Sequence, residues 1–212
     1  IEETTESLAA LAIQGPRSAA VLAAAAGESV ADLGYYHRRA VHIGGVEVDV
    51  SRTGYTGDLG YEIWVGADGA LAVWDALVEA GRAHALRPAG LRALDLVRLE
   101  AGLILLGVDY ISARHAAIPE QAYSPFEIGL GRLVDLAAGD FVGRRALVAE
   151  RAGGGGAGRR LAGIEVEWDG IEARSLAVGL APAMPTTVSR VPVPVFAPDG
   201  PQIGRITSSG WS

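Results

Sequence analysis

A carboxylate placed directly after a glycine-rich loop is the feature of this 212-residue sequence best suited to ligand binding. Glu62 follows the loop 53–60, whose glycines allow backbone conformations that are closed to other residues. A carboxylate can accept an amide N–H and an adjacent amine together, in a paired and charge-assisted arrangement. Glu62 is therefore a candidate to bind the two-donor edge of a flat heterocycle, although most glutamates on a strand surface are solvated or paired with a cation. The alternative is a strand-surface ion pair between Glu62 and Arg52 or Arg98.

Three tyrosines and a second acid are the other candidate binding residues. Tyr55 lies inside the loop, and a ring that carries a hydroxyl suits a flat, amphipathic ligand. Tyr35 and Tyr36 stand just ahead of a predicted hairpin, and Glu47 lies on the polar face of that hairpin's second strand. The alternatives are a turn tyrosine packed on the sheet for Tyr55 and a solvated face for Tyr35, Tyr36 and Glu47.

Several other chemistries are disfavoured by residue types and spacing. The absence of cysteine removes disulfides, cysteine-ligated zinc, iron–sulfur clusters and a cysteine nucleophile, and it is compatible with a reducing cytoplasm, the location we expect. The four histidines show no metal-ligand spacing, and the loop glycines follow G-x-x-G-x-x-G rather than the dinucleotide-binding pattern. A net charge of −7 without clustered Lys/Arg disfavours nucleic acid, and no apolar run is long enough for a membrane helix. We therefore expect no metal, no nucleic acid and no membrane as partners.

The elements that position these residues can be predicted from turn signals and periodicity. Gly44–Gly45 divides the hairpin 40–52, and a short strand, 61–65, carries Glu62. The sequence further predicts three helices, at 16–26, 69–84 and 89–101. Strands and helices in this order predict an α+β fold with helices on one face of an antiparallel sheet.

The spacing of apolar residues predicts which side of the helices 69–84 and 89–101 is buried. In the helix 69–84 this buried stripe consists of Leu71, Trp74, Leu77, Val78 and Gly81. In the helix 89–101 it consists of Leu91, Leu94, Val97 and Ala101.

The remainder of the chain reads as a short helix, a linker and a small β-domain. The helix is predicted at 140–150, and the nearly all-glycine stretch 153–158 is the predicted domain boundary. We predict domains at 1–152 and 159–212, the second a small β-barrel that is truncated. Its strands are expected at 161–167, 191–196 and 202–208, whereas the stretch 170–190 fits no element.

Five stretches of the sequence resemble, in order and spacing, the aminomethyltransferase (T-protein) family of the glycine cleavage system. The most specific is SRTGYTGDLGYEI, residues 51–63. The others are residues 11–16, 98–103, 124–131 followed by 140–144, and 204–212.

This resemblance implies a tetrahydrofolate-dependent enzyme that transfers a one-carbon unit. Glu62 corresponds to the family's folate-binding glutamate, and Tyr55, Tyr35, Tyr36 and Glu47 become candidate tetrahydrofolate contacts. In the family, an aminomethyl group on a lipoyl-bearing carrier protein loses ammonia and becomes the methylene of 5,10-methylenetetrahydrofolate. The family's catalytic aspartate lies in a region expected before Ile1, and more chain is expected beyond Ser212. The 212 residues alone are therefore not expected to catalyse the reaction, and their catalytic residue stays unassigned.

One departure from the family keeps two alternatives open. Leu94 stands where the T-protein sequence has an arginine used for folate, and this favours a relative with another one-carbon donor. Such relatives include a tetrahydrofolate-dependent demethylase and the folate domain of a dimethylglycine or sarcosine dehydrogenase. A non-enzymatic, folate-binding maturation factor is a weaker alternative, because those relatives carry a cysteine in the glycine motif where this chain has Gly54–Tyr55.

Overall fold

The computed structural model describes residues 2–154, 158–183 and 186–211. They form two compact units, divided between Leu103 and Ile104. The predicted linker 153–158 falls partly on 155–157, which lie outside the described residues. The predicted domain limits, 1–152 and 159–212, therefore stay predictions.

The first unit is a four-stranded antiparallel sheet with helices. Its strands are β1 Leu8–Gln14, β2 Arg38–Ile43, β3 Val46–Ser51 and β4 Gly60–Gly66. Its α-helices are α1 Ser18–Ala26, α2 Ala70–Gly81 and α3 Leu91–Glu100. The strand order is β1-β4-β3-β2, and every neighbouring pair is antiparallel. The predicted α+β fold is thus confirmed.

Local turn chemistry explains where these elements begin and end. The β2–β3 hairpin turns at Gly44 and Gly45, both at positive φ (60° and 79°), as a two-residue hairpin turn requires. Helix α1 ends at Gly27, whose left-handed conformation (φ 73°) lets its N–H reach the carbonyl of Ala23.

One face of the sheet is buried under helices, and the opposite face is not. Strand alternation sends apolar side chains of all four strands to the covered face, where α1 and α2 add theirs. The buried core consists of Ile13, Val21, Leu22, Val30, Leu33, Val41, Ile43, Val48, Val50, Tyr61, Ile63, Val65, Val73 and Leu77. Glu62 and Trp64 alternate with the buried members of β4 and therefore lie on the open face.

The predicted buried stripe of α2 is wrong in part. The helix buries Val73, Leu77 and Gly81, whereas Leu71 is 70% exposed and Trp74 is also exposed. Asp75 and Glu79 lie one turn apart on the exposed side of the helix, and Val73 and Leu77 lie opposite them, so the position of the charged residues indicates the inward face better than Leu71 and Trp74 do.

The predicted stripe of α3 is also wrong in part, because Leu94 and Val97 are half-buried while the two buried residues are charged. Leu91 is 79% exposed, while Asp95 and Arg98 are buried. Their ion pair joins Arg98 Nε to Asp95 Oδ1 at 2.9 Å, and Arg98 Nη1 donates to the carbonyl of Leu103 at 3.2 Å. Partnered charges can be buried where unpartnered ones cannot, and apolar patterning does not anticipate this.

The second unit contains two helices and a small antiparallel sheet. The helices are α4 Arg144–Ala152 and α5 Trp168–Ala177, and the strands are β5 Val193–Phe196 and β6 Gln202–Ile206. The helix predicted at 140–150 is confirmed with a later start, and β5 and β6 confirm two of the three predicted strands within narrower bounds. The strand predicted at 161–167 is wrong, since these residues pair with no strand among those described. Helix α5 occupies part of the stretch to which the sequence assigned no element.

Polar side chains hold distant segments of this unit together. Thr207 Oγ1 and Ser208 Oγ each donate to Asp109 Oδ1 at 2.6 Å, and Asp109 is buried. Arg159 Nε donates to Glu127 Oε1 at 2.9 Å, and its guanidinium lies 4.3 Å from the ring centroid of Tyr123. This hydrogen bond from Arg159 holds the pKa of Glu127 below its ordinary value.

Candidate functional site

Glu62 lies on the open face of the sheet and is held there by the preceding loop. Its side chain is half-buried, and Oε2 accepts a hydrogen bond from Thr53 Oγ1 at 2.5 Å. Ser51, paired with Glu62 across β3 and β4, lies 2.8 Å from Thr53, oxygen to oxygen. The two hydroxyls thus hold the carboxylate in place, and Oε1 accepts no hydrogen bond from the residues that the structure describes. Each carboxylate oxygen has two lone pairs, so the group keeps the capacity to accept two further donors.

The alternative role of Glu62, an ion pair with a neighbouring arginine, is not what the structure shows. Arg52 Nη1 instead donates to the carbonyl of Leu33 at 3.0 Å. Arg98 is paired with Asp95. Among the described residues, Glu62 makes no ion pair. Its carboxylate is therefore held by a hydrogen bond from a hydroxyl group rather than by an ion pair.

A depression of about 450 Å³ lies on the same open face. It is lined by Leu8, Arg38, Ala40, Glu47, Val48, Asp49, Ser51, Trp64, Val65 and Gly66. Glu62 does not itself line it, but Ser51 is its cross-strand neighbour and Trp64 is the next residue of β4 on that face. Trp64 is 46% exposed and presents an apolar aromatic surface on the same sheet face as Glu62.

The glycine loop before β4 is closed by contacts to the end of β1 and the start of α1. Leu59 accepts the Gly15 N–H at 2.7 Å and the Ser18 hydroxyl at 3.3 Å. Gly57 has a φ of 78°, and a Cβ there would lie 2.5 Å from the Cβ of Ala101. The loop therefore needs glycine at this position for both its backbone conformation and its close packing.

The structure places the predicted aromatic residues in two locations. Tyr55 is half-buried within the glycine loop. Tyr35 and Tyr36 lie in the turn before β2, are 59% and 75% exposed, and have ring centroids 4.2 Å apart. Tyr36 has a φ of 63°, which is strained for a residue with a side chain, and its N–H donates to the carbonyl of Arg52 at 3.1 Å. This last bond ties the tyrosine turn to the strand end that leads into the loop.

Charged residues flank the tyrosine turn and the second predicted acid. Arg39 contacts both carboxylate oxygens of Asp32, at 3.0 and 2.8 Å, and this pairing lowers the pKa of Asp32. Glu47 is exposed, lies opposite His42 in the hairpin and lines the depression. Glu47 and Glu62 thus share the open sheet face, as strand alternation predicts.

Gln14 is a residue of this site that sequence reasoning did not single out. Its side-chain amide contacts the loop at Thr53 and Thr56 and β4 at Tyr61. In the sequence it lay within the stretch 11–16, which contributed to the resemblance but gave no sign of this contact.

The described residues contain no group of three or more His, Cys, Asp or Glu side chains arranged to hold a metal ion. A search of the same residues for a helix both long and apolar enough to cross a membrane finds none.

Comparison with known proteins identifies the family to which this chain belongs. The family model described as "GCVT N-terminal domain" matches residues 1–138, and the chain belongs to that family. The chain is 38% identical over 172 residues to an aminomethyltransferase of Caldanaerobacter subterraneus, covering 81% of this chain and 43% of that protein. It is 42% identical over 161 residues to the trimethylamine-oxide aldolase of Ruegeria pomeroyi, covering 71% of this chain and 19% of that protein.

The fold comparison agrees with the sequence comparison. The crystal structure of the glycine cleavage system aminomethyltransferase T from Bartonella henselae matches with a TM-score of 0.64 and 25% sequence identity. The match covers 96% of this chain and 48% of that one. The chain therefore spans less than half the length of these relatives.

Proposed function

We propose that this chain forms the folate-binding part of a tetrahydrofolate-dependent one-carbon transferase of the aminomethyltransferase type. The observation that carries the proposal is the Glu62 carboxylate, which Thr53 fixes on the open sheet face with one oxygen available to a ligand. Membership of the GCVT family supports it.

The proposed role of Glu62 is to accept the adjacent amide N–H and exocyclic amine of the pterin ring. Paired, charge-assisted hydrogen bonds of this kind give geometric specificity as well as affinity. Because Ser51 and Thr53 hold the carboxylate before the ligand arrives, little side-chain freedom is lost on binding. The residues present therefore fit a ligand with a two-donor edge.

The aromatic residues would contribute flat surfaces for the rings of tetrahydrofolate. Tyr55 is proposed to contact the ligand from the loop, and Tyr35 and Tyr36 from the turn before β2. Glu47 is proposed as a polar contact at the edge of the depression. Tetrahydrofolate supplies the nucleophilic N5 that takes up the one-carbon unit, and the protein's part is to hold donor and acceptor in place.

The one-carbon donor is proposed to be either a small molecule or a lipoyl-bearing carrier protein. A demethylase-type or dehydrogenase-associated reaction is the second candidate, and a specific observation favours it. By the sequence resemblance, Leu94 of α3 takes the place of an arginine that the T-protein family uses for folate. The similarity to a trimethylamine-oxide aldolase is compatible with this second candidate. The proposed location of the enzyme is the cytoplasm.

Calorimetric titration of tetrahydrofolate against the wild-type chain and the Glu62→Gln variant tests the proposal. Gln keeps the shape of Glu62 but turns an amide NH₂ toward the ligand donors and removes the charge. In wild type the carboxylate would accept two charge-assisted hydrogen bonds from the ligand, whereas the glutamine of the variant could accept at most one neutral bond. We therefore expect the dissociation constant to rise roughly 100-fold.

The matched control is Glu100→Gln, which removes the same charge from an exposed position at the end of α3 and should leave binding unchanged. Equal affinity of the wild-type chain and the Glu62→Gln variant would refute the assignment of Glu62. A donor screen then separates the two candidate reactions. Formation of methylenetetrahydrofolate and ammonia from aminomethylated lipoyl carrier by the full-length enzyme favours the first. Transfer of an intact methyl group to give methyltetrahydrofolate, or formation of methylenetetrahydrofolate from a methylated amine only when a two-electron acceptor is added, favours the second.

A further inference from the structure

Gln14, the last residue of β1, is the only glutamine of the first unit. Its Nε2 donates to the carbonyl of Thr53 at 3.4 Å and to the carbonyl of Tyr61 at 3.3 Å. Its Oε1 accepts from Thr56 Oγ1 at 3.1 Å. Donor atoms thus meet carbonyls and the acceptor meets a hydroxyl, so one orientation of the amide satisfies all three contacts.

Two of the loop glycines provide the space that this amide occupies. A Cβ on Gly54 or on Gly60 would collide with the Gln14 amide group. Neither glycine has a positive φ, so its backbone conformation is open to alanine. Gly57 differs, because its φ is 78° and its neighbour is Ala101 rather than Gln14. Residues 54 and 60 therefore need to be glycine because a side chain there would collide with Gln14. Gly57 needs to be glycine because of its own backbone conformation and its contact with Ala101.

We infer that Gln14 is the positioning residue of the ligand-binding carboxylate. Thr53 links the two groups: its carbonyl accepts from Gln14 and its hydroxyl donates to Glu62. The carbonyl of Tyr61, bonded to the same amide, precedes Glu62 in the chain. Gln14 therefore holds the backbone on both sides of the loop whose geometry aims Glu62. The consequence for ligand affinity rests on the proposed function, but the consequence for the loop does not.

Amide hydrogen exchange of residues 53–61 in the Gln14→Ala and Gln14→Met variants tests the inference without a ligand. Methionine fills a similar volume but makes none of the three hydrogen bonds. Both variants should exchange roughly tenfold faster in this segment, as expected when several neutral hydrogen bonds are lost. The core amides of Val21 and Leu22 should be unaffected. Tetrahydrofolate affinity should fall by a similar factor, although Gln14 is not placed in contact with the ligand.

A second-site experiment separates positioning from simple packing. Gly60→Ala alone should displace the Gln14 amide and accelerate loop exchange by about as much as Gln14→Ala does. The double variant Gln14→Ala/Gly60→Ala should be no worse than Gln14→Ala, because the added methyl then has room. Gly57→Ala is the matched control. Because Gly57 does not face Gln14, the faster loop exchange caused by Gly57→Ala should persist when Gln14→Ala is added.

Each outcome decides one question. Accelerated loop exchange in a chain that binds no tetrahydrofolate would retain the positioning role and reject the proposed function. Unchanged loop exchange in Gln14→Met, or strictly additive effects of Gln14→Ala and Gly60→Ala, would overturn the positioning role even if tetrahydrofolate binds. Should Gln14→Ala fail to fold, the Gln14→Met and Gly60→Ala variants still give the answer.

Discussion

Removing the buried cation of α3, by Arg98→Met, should destabilise the first unit strongly. Arg98 is 1% exposed, and its Nε lies 2.9 Å from Asp95 Oδ1. The same guanidinium donates to the carbonyl of Leu103 at 3.2 Å. The variant loses this cation and leaves the carboxylate of Asp95 buried without it. Breaking a buried pair from one side is typically destabilising by about 3–5 kcal/mol.

Replacing both partners should be far less damaging than removing one. In Asp95→Ala/Arg98→Met neither charge of the pair is left, and neither replacement is larger than the residue it replaces. Such double replacements are often neutral in free energy, so we expect a loss below about 2 kcal/mol. The effects of the single and double variants should therefore be strongly non-additive.

Urea unfolding, followed by tryptophan fluorescence and circular dichroism, measures these differences. With a urea dependence of about 2 kcal/mol per molar, a loss of 4 kcal/mol lowers the unfolding midpoint by about 2 M. Arg92→Met is the control, because Arg92 is exposed on the same helix and its loss should change the unfolding free energy by less than about 0.5 kcal/mol. A loss below about 1 kcal/mol in Arg98→Met would show that the buried pair does not hold α3 in place.

Two further predictions concern stability. The pKa of Glu127 is lowered chiefly by the hydrogen bond from Arg159, so its contribution to stability is present above the ordinary value of 4.5 and is lost as pH falls below it. The difference in unfolding midpoint between wild type and Glu127→Gln should therefore shrink between pH 7 and pH 3, and a constant difference would contradict this. In the β2–β3 turn, Gly44→Ala should destabilise more than Gly45→Ala. Both have positive φ, but a Cβ on Gly44 would meet the carbonyl oxygen of Ala72 at 2.7 Å, whereas Gly45 has open space. Alanine at Gly45 should cost about 1–2 kcal/mol for its backbone conformation alone, and equal losses in thermal unfolding would refute the contact argument.

The parts of the fold that follow from local sequence were predicted well. The Gly44–Gly45 turn and the alternation of β3 predicted the hairpin and placed Glu47 on its outer face. The same alternation placed Glu62 opposite the buried Ile63 of β4. Whether these acids bind a ligand stays a prediction, because their position on a face does not identify what they contact.

What the sequence by itself determined is three of the four strands of the first unit, its three α-helices and the family to which the chain belongs, whereas the strand β1 was not predicted. Side-chain period and turn chemistry act over a few residues, so they can be read without knowledge of the rest of the chain. The tertiary structure decided that α3 buries the Asp95–Arg98 ion pair rather than Leu91, because only neighbouring groups can supply the partners that buried charges need. It also decided that Gln14 reaches Thr53, a contact between residues 39 positions apart. Contacts of this kind form only when strands assemble into a sheet, so the periodicity of the sequence cannot predict them.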